Sequence, residues 1–222
     1  AGETDRVDKD RFGLPGVFIV GVVAANQLRK RLDRFLDTCE VALRRLRPIH
    51  FCIKTDRSCT AGGFDLPREI ADREIEESVT VIEDTPSGRG LKGNELARLY
   101  SCFDLYLHTS EWEGFGIPAI EAMASGVPVA THGGQGPGEF TPYPELVVES
   151  TEVTDDSGAV LNYIDPESAV TVIEELFYQG PTERREYSRR GVKAAREHYD
   201  ARRVASAWID IITRDLDPQH SY

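Results

Sequence analysis

Two glutamates stand eight residues apart, one on each side of a turn that favours glycine and proline. The stretch reads EWEGFGIPAIEAMASG, with Glu113 before the turn and Glu121 after it. Gly114 and Gly116 would let the backbone approach a ligand closely, and Pro118 suits the first turn of a helix. A helix that starts there presents unpaired N–H groups and the positive end of its dipole. We therefore expect a phosphate-binding site at this helix end.

A carboxylate beside a phosphate site is suited to hydroxyl groups rather than to the phosphate itself. It accepts hydrogen bonds through both oxygens and can hold a vicinal diol in a bidentate manner. With one diol on a ribose and another on a hexose, Glu113 and Glu121 together indicate a nucleotide-sugar. A structural alternative stays open for each of them, because an acidic side chain in the first turn of a helix is stabilising through the dipole alone.

The elements that must position these residues alternate between strand and helix. Apolar runs predict strands at 17–23, 49–54, 79–83, 104–108, 127–131 and 146–150. Helical periodicity, proline and glycine signals predict helices at 28–46, 66–77, 94–102, 117–126, 166–179, 181–198 and 200–216. This alternation predicts an α/β fold, a Rossmann-like parallel sheet of about six strands with helices on both faces. Ligands of such sheets bind at the carboxyl ends of the strands.

Composition narrows the classes of function. The chain of 222 residues is 40% hydrophobic and carries a formal net charge of −12, so it can bury a core but suits neither nucleic acid nor an anionic lipid surface. No apolar run approaches the length of a membrane span, and the polar start is not a signal peptide. The four cysteines are Cys39, Cys52, Cys59 and Cys102. None forms a C-x-x-C pair, and three of them, Cys39, Cys52 and Cys102, lie inside apolar segments, which favours core thiols in a reducing, cytoplasmic setting.

The stretch EGFGIPAIEAMASGVPVA, taken whole, closely resembles the retaining glycosyltransferases of the GT-B fold, known as glycosyltransferase group 1 or family four. The hallmark of that family is the same pair of glutamates around G-F-G-x-P. The segments DLYLHTSEWEGFG, NELARLY and HGGQGPGE resemble the family's neighbouring elements, and the similarity extends over about residues 12–215.

The resemblance assigns roles to single residues. Glu113 would hold hydroxyls of the transferred sugar, and Glu121 would hold the ribose hydroxyls. The remaining donor contacts would come from the backbone of Phe115, Gly116 and Ile117, and from Gly133 and Gly134, where the chain passes close to the donor.

A basic segment after the first strand is the candidate for the diphosphate. The family has an arginine and a lysine there. Lys30 matches the lysine, but Ala25 stands where the arginine is expected. Asn26, Arg29 and Arg31 are the candidates to replace it. Family members usually need no metal, so none is expected here.

The resemblance also implies how the chain is organised. Residues 1–16 would be an interdomain linker, 17–199 the Rossmann-like donor-binding domain, and 200–222 a C-terminal helix and tail. This would be the C-terminal half of a GT-B enzyme that transfers a hexose, such as mannose or glucose, from a UDP- or GDP-sugar with retention of configuration. The N-terminal acceptor-binding half would be absent, so this chain would bind donor with little or no turnover. Peripheral membrane association would depend on that missing half.

Two other functions stay open. Ala25 and the missing half favour a non-catalytic module that binds a nucleotide-sugar or a partner. A GT-B-like epimerase that acts on a UDP-sugar is the other alternative.

His108 and His132 end strands near the expected donor site. For both, a structural role is favoured over contact with the donor.

Overall fold

Six strands form one sheet in the order β3-β2-β1-β4-β5-β6, and every neighbouring pair is parallel. The computed structural model describes residues 16–56, 62–84, 90–134 and 136–215. The strands of this sheet are β1 (Phe18–Val23), β2 (Ile49–Thr55), β3 (Val79–Glu83), β4 (Leu105–Leu107), β5 (Val129–His132) and β6 (Val147–Val148). A separate antiparallel hairpin consists of β7 (Ser150–Thr154) and β8 (Val160–Ile164).

The helices lie between the strands and at the end of the described chain. They are α1 (Leu32–Leu43), α2 (Leu66–Asp72), α3 (Gly93–Ser101), α4 (Ile117–Ala124), α5 (Pro137–Phe140), α6 (Pro166–Tyr178), α7 (Pro181–His198) and α8 (Ala201–Asp215). Packing divides most of them into two groups. Helix α1 packs against α2 and α6, whereas α4 packs against α3 and α7. The predicted Rossmann-like fold, with helices on both faces of a parallel sheet, is confirmed.

The strand order reverses between β1 and β4, which are hydrogen-bonded neighbours although far apart in sequence. Such a switch point opens a crevice at the carboxyl ends of the two strands. A buried carboxylate fixes the other end of this pair, because Asp104 accepts a hydrogen bond of 2.8 Å from the Ile19 backbone N–H. The loops that follow β1 and β4 are therefore held side by side.

The predicted start of α1 is wrong. A helix was predicted from Leu28, but Leu28–Lys30 form a 3₁₀ turn, Arg31 takes a left-handed φ of 50°, and α1 starts at Leu32. The carbonyls of Arg29 and Lys30 accept hydrogen bonds from the Glu111 N–H and the Thr109 hydroxyl. Tertiary contacts have thus taken the carbonyls that a continuous helix would use, and the chain turns before α1 begins.

Smaller differences have local causes. Helix α3 begins at Gly93, one residue before the predicted start at Asn94, because the Lys92 N–H is satisfied by the Glu95 carboxylate at 2.8 Å. The predicted strand over 146–150 is divided between β6 and β7, and the β7–β8 hairpin was not foreseen. Cys39, Cys52 and Cys102 are buried in the core, as predicted, whereas Cys59 lies outside the described residues.

The last helix presents an apolar face to solvent. Every residue of 201–214 is exposed, and Trp208 is 60% exposed. Val204, Ile211 and Ile212 lie on the same helix and are also exposed. Within the residues described, no helix combines the length and apolar character that crossing a bilayer requires.

Candidate functional site

The predicted site residues meet where the loops after β1 and β4 adjoin. The Thr109 hydroxyl donates to the Lys30 carbonyl at 2.8 Å, and the Glu111 N–H donates to the Arg29 carbonyl at 2.9 Å. Both contacts are made by backbone or by a buried hydroxyl, so they fix the position of the basic turn independently of its charged ends. The cations of that turn are thereby directed at the loop that carries Glu113.

The Glu113 carboxylate contacts two cations of the basic turn. Its Oε2 contacts the Lys30 ammonium, and the Arg29 guanidinium lies 3.4 Å from the same oxygen. The side chains of Glu113 and Lys30 are only 14% and 10% exposed, whereas that of Arg29 is 39% exposed. An ion pair this sheltered interacts more strongly than one on the surface. Glu113, Lys30 and Arg29 thus form one cluster.

Arg31, the further candidate for the missing arginine, points elsewhere. Its guanidinium pairs with Asp33 at 2.6 Å, lies 3.7 Å from Glu111 and stacks on the Tyr163 ring at 4.9 Å. These contacts join α1 to the β7–β8 hairpin. Arg31 therefore supports the frame of the site and does not join the Glu113 cluster.

The glycine turn after Glu113 is tightly constrained. Gly116 has φ 79°, and a Cβ built on it would lie 2.4 Å from Pro137 Cγ. A Cβ on Gly136 would lie 2.8 Å from the Glu113 carbonyl. The loops after β4 and β5 therefore touch, and only glycine fits at both positions. In the described part of the chain, the backbone N–H groups of Gly116 and Ile117 meet no acceptor, so the N-terminus of α4 is available to an anion.

Glu121 lies one helical turn further along α4 and has a different partner. Its Oε2 accepts a hydrogen bond of 3.0 Å from the hydroxyl of Tyr100, on α3. Burial, helped by the nearby carboxylate and by Tyr106, raises the pKa of Tyr100 well above its usual range. Tyr100 therefore stays neutral and donates. Its side chain is 1% exposed, so it fixes one oxygen of Glu121 and leaves the other to accept further hydrogen bonds.

One of the two exposed apolar residues of the turn lies on an aromatic cluster. Phe115 is 49% exposed and contacts the rings of Phe140 and Tyr199 at centroid distances of 5.5 and 5.7 Å. Ile117 is 61% exposed. Because Phe140 belongs to α5, this cluster is a second link between the loops after β4 and β5.

The Gly133–Gly134 segment rests on a buried histidine. His132 Nδ1 accepts from the Gly134 N–H at 3.2 Å, so its Nε2–H donates to the Ser110 carbonyl at 3.0 Å. Burial lowers the pKa of His132, which is consistent with a neutral ring. Below the segment, a Cβ on Gly134 would lie 2.8 Å from the Asn162 side chain. His132 and Asn162 thus determine how closely this loop approaches the sheet.

The other histidine of the region is fully buried. Burial, with His132 and Lys30 close by, lowers the pKa of His108 to about 3. The His108 Nε2 has no hydrogen-bond partner among the described residues. A neutral buried ring fits the structural role expected of it.

Asn26 is occupied by its own loop. Its Oδ1 accepts from the Phe64 N–H and its Nδ2 donates to the Phe64 carbonyl, both at 2.8 Å, while its backbone N–H donates to Asp56 at 2.7 Å. Asn26 does not contact the Glu113 cluster in any of these interactions. Its predicted role in binding the donor would require it to exchange them.

Sequence reasoning missed Tyr100 and a buried ion pair at the end of the next two strands. Lys54 lies at the carboxyl end of β2 and contacts Asp84, which directly follows β3. Both line a cavity of about 390 Å³ that reaches Ala25 and Pro118. The sequence signal that could have predicted this ion pair is Lys54, a charged residue near the end of the largely apolar strand β2. Among the residues described, no group of three His, Cys, Asp or Glu side chains could hold a metal.

The fold and this crevice define a Rossmann-like domain with a basic turn and a helix N-terminus at its switch point. Residues 15–191 match the family model described as glycosyl transferases group 1, and the chain belongs to that family. This confirms the resemblance that was read from the sequence. The identified relatives are themselves longer, since the chain covers 20% to 44% of the curated proteins it matches.

Three comparisons illustrate the range of the similarity. The chain is 25% identical over 202 residues to GDP-mannose:cellobiosyl-diphosphopolyprenol alpha-mannosyltransferase of Xanthomonas campestris, covering 87% of this chain and 44% of that protein. The structure of HepE from Anabaena in complex with UDP and glucose matches with a TM-score of 0.70 at 16% identity, over 96% of this chain and 53% of that one.

A third match is a C-terminal domain solved by itself. It is the C-terminal domain of a glycosyl transferase group 1 family protein from Francisella tularensis, with a TM-score of 0.61 at 19% identity, covering 83% of this chain and 87% of that domain. At these identities the structural matches show the fold alone.

Proposed function

We propose that this chain is the donor-binding half of a retaining glycosyltransferase that transfers a hexose from a nucleoside diphosphate-sugar to an acceptor. The observation that carries the proposal is the sheltered contact of Glu113 with Lys30 and Arg29, directly before the N-terminus of α4. It places a hydroxyl acceptor, two cations and free N–H groups side by side. That combination suits a sugar and the phosphate attached to it.

Each residue has a role in this proposal. Glu113 accepts hydrogen bonds from hydroxyls of the transferred sugar. Lys30 and Arg29 neutralise the diphosphate, which gathers charge as the bond to the sugar breaks, and fixed cations stabilise such a transition state strongly. Glu121, held by Tyr100, accepts from the ribose hydroxyls. The glycines at 116, 133 and 134 allow the backbone to approach the donor.

The relatives support the class of donor and of reaction. One is named for GDP-mannose and alpha-mannosyl transfer, and one structure is titled as a complex with UDP and glucose. The proposed donor is accordingly a UDP- or GDP-sugar, transferred without a metal ion and with retention. The acceptor would be bound by a second domain, with a cytoplasmic site of action, and this chain alone would bind donor with little or no turnover.

Calorimetry with UDP-glucose and GDP-mannose tests the proposal. Lys30→Ala should weaken the binding of the preferred donor at least tenfold, because it removes a sheltered cation from the diphosphate. Arg45→Ala is the matched control, since it removes an exposed cation that pairs with Glu167 beyond the other end of α1. Equal affinities for wild type and Lys30→Ala would contradict the assigned role.

A non-catalytic binding module is the second candidate, and Ala25 favours it. Ala25 lines the cavity at the place where the family has an arginine. A chain that binds donor but remains inactive when joined to an acceptor domain would support this candidate. Conversion of a UDP-sugar without any acceptor would instead identify an epimerase.

A further inference from the structure

A buried ion pair lies outside the proposed sugar and phosphate contacts. Lys54 is 7% exposed, and its ammonium donates to the Thr55 carbonyl at 2.9 Å and to the Asp84 carboxylate. The side chain of Asp84 is 20% exposed. Burying such a pair costs desolvation free energy that its own attraction often fails to recover. Its presence at the binding edge of the sheet therefore calls for a functional explanation.

The pair lies in the wall of a cavity. The cavity has a volume of about 390 Å³, within the range of roughly 300–1,000 Å³ that is typical of small-molecule sites. Thr55 and Asp56, which follow Lys54 in the chain, also line it, and the remaining walls are apolar and include Val23, Leu91 and Leu96. Apolar walls with one polar edge suit a flat heterocycle that carries hydrogen-bonding groups on a single edge.

The cavity continues from the proposed diphosphate site. Pro118, the second residue of α4, and Ala25, in the loop after β1, belong to its lining. From the end of β4 to the end of β3 the sheet extends over three strand spacings, or about 14 Å. An elongated donor with its sugar at Glu113 would therefore place its other end near Lys54 and Asp84.

We propose that Lys54 and Asp84 read the base of the donor and that this base is guanine. The inference rests on the proposed function, since it names the donor of that same site. The Lys54 ammonium has three hydrogens, of which the described residues accept two, and the third would be donated to the guanine O6. The Asp84 carboxylate would accept from N1–H and from the 2-amino group.

Other bases match this edge less well. Uracil offers O4 to Lys54 and N3–H to Asp84, but its O2 then faces the second carboxylate oxygen, and two acceptors repel. Adenine offers N1 and one amino group, which leaves the second carboxylate oxygen without a donor. The 2-amino group of guanine is the feature that satisfies this oxygen, and charge-assisted hydrogen bonds of this kind are the strong ones.

The 2-amino group can be tested directly. Calorimetry on the 222-residue chain with GDP, IDP and UDP compares guanine with a base that lacks only this group and with a pyrimidine. Wild type should bind GDP about tenfold more tightly than IDP, and more tightly than UDP. In Asp84→Asn the preference for GDP over IDP should fall to less than threefold. XDP, which presents an oxygen at that position, should gain affinity from the new amide.

The gain with XDP shows that the variant is folded. Glu77→Gln neutralises an exposed acid before the other end of β3 and should leave all four affinities unchanged. Equal or tighter binding of UDP would overturn the guanine inference while leaving the proposed function intact. If Asp84→Asn still prefers GDP over IDP as wild type does, Asp84 does not recognise the base. Failure of every nucleoside diphosphate to bind would overturn the proposed function, and the base inference with it.

Discussion

The Thr109 hydroxyl donates a hydrogen bond of 2.8 Å to the Lys30 carbonyl, joining the loop after β4 to the basic turn after β1. Thr109 is 1% exposed, so water cannot replace it. Lys30 contacts Glu113 through its side chain and Thr109 through its backbone. Lys30, in the connection from β1 to β2, is therefore held at two points by the loop that carries Glu113.

Thr109→Val should destabilise the fold and disturb the site. The change keeps the shape of the side chain but leaves the buried Lys30 carbonyl without its donor. Such a loss costs about 1–3 kcal/mol, which chemical denaturation measures. The affinity for a nucleoside diphosphate should also fall, because the basic turn loses one of its two fixed contacts.

Thr131→Val is the matched control for this prediction. Thr131 is fully buried on β5, and its hydroxyl has no partner in the part of the chain that the structure describes. Replacing it with valine removes a polar atom that has no hydrogen bond, so stability should remain or increase. If both variants lose the same stability, loss of the Thr109 hydrogen bond is not the cause.

The glycine turn offers a second matched pair. Gly116→Ala must place a Cβ on a residue with φ 79° and 2.4 Å from Pro137. Left-handed backbone alone costs a residue with a Cβ about 1–2 kcal/mol, and the clash adds to it. We expect Gly116→Ala to lower the free energy of unfolding by at least this amount and to weaken donor binding.

Gly114→Ala should behave differently although it lies two residues away. A Cβ on Gly114 meets nothing within 4 Å. Its stability should change little, and the same denaturation experiment measures it. If Gly114→Ala loses as much unfolding free energy as Gly116→Ala, then the conformation of the whole turn, and not the contact with Pro137, determines which residues it accepts.

Most of the fold could be predicted from the sequence because its strands are apolar runs and its helices are amphipathic. Helix α7 occupies 181–198, as predicted, since Pro181 and the periodic apolar residues mark it clearly. The β7–β8 hairpin escaped prediction because β7 is mostly polar and is held by its pairing with β8. Its position is specified by tertiary contacts, such as that of the Asn162 N–H with the Glu111 carbonyl at 2.8 Å.

The site was predictable to the extent that it follows local motifs. Glu113 and Gly116 belong to a turn whose spacing is visible in the sequence. The contact of Glu113 with Lys30 spans 83 positions, and that of Tyr100 with Glu121 crosses from one helix to another. Pairings of this kind depend on the strand order, and no local pattern specifies them.

Tyr100→Phe should weaken donor binding with little change in fold. The ring of Tyr100 packs against Phe103 and Tyr106 and would do so equally as phenylalanine. Only the hydrogen bond to Glu121 would be lost, at a cost of about 1.5–3 kcal/mol if its whole effect falls on ligand binding. We expect a tenfold or greater loss of affinity by calorimetry.

Tyr178→Phe is the control for the loss of a hydroxyl. Tyr178 is 73% exposed at the end of α6, and its replacement should leave the affinity unchanged. A thermal unfolding curve for Tyr100→Phe separates the two explanations. If its affinity remains that of wild type while its stability drops, Tyr100 serves the fold and does not position Glu121 for a ligand.

Acid should destabilise the protein through His108. Burial lowers the pKa of His108 to about 3 in the folded state, whereas an exposed histidine titrates near 6.5. Between these values the unfolded chain binds a proton that the folded chain does not. Stability from the neutral ring is therefore fully present above about pH 6.5 and is lost progressively as the pH falls toward 3. His50 and His132, whose pKa values burial also lowers, add to the same trend.

His108→Leu isolates this contribution, because leucine cannot take up the proton. The variant should lose less stability than wild type between pH 7 and pH 5, whatever its stability at pH 7. His198→Gln, which changes an exposed histidine at the end of α7, should follow the wild-type curve. Denaturation midpoints at several pH values give the comparison. Parallel curves for wild type and His108→Leu would show that His108 does not resist protonation in the folded state.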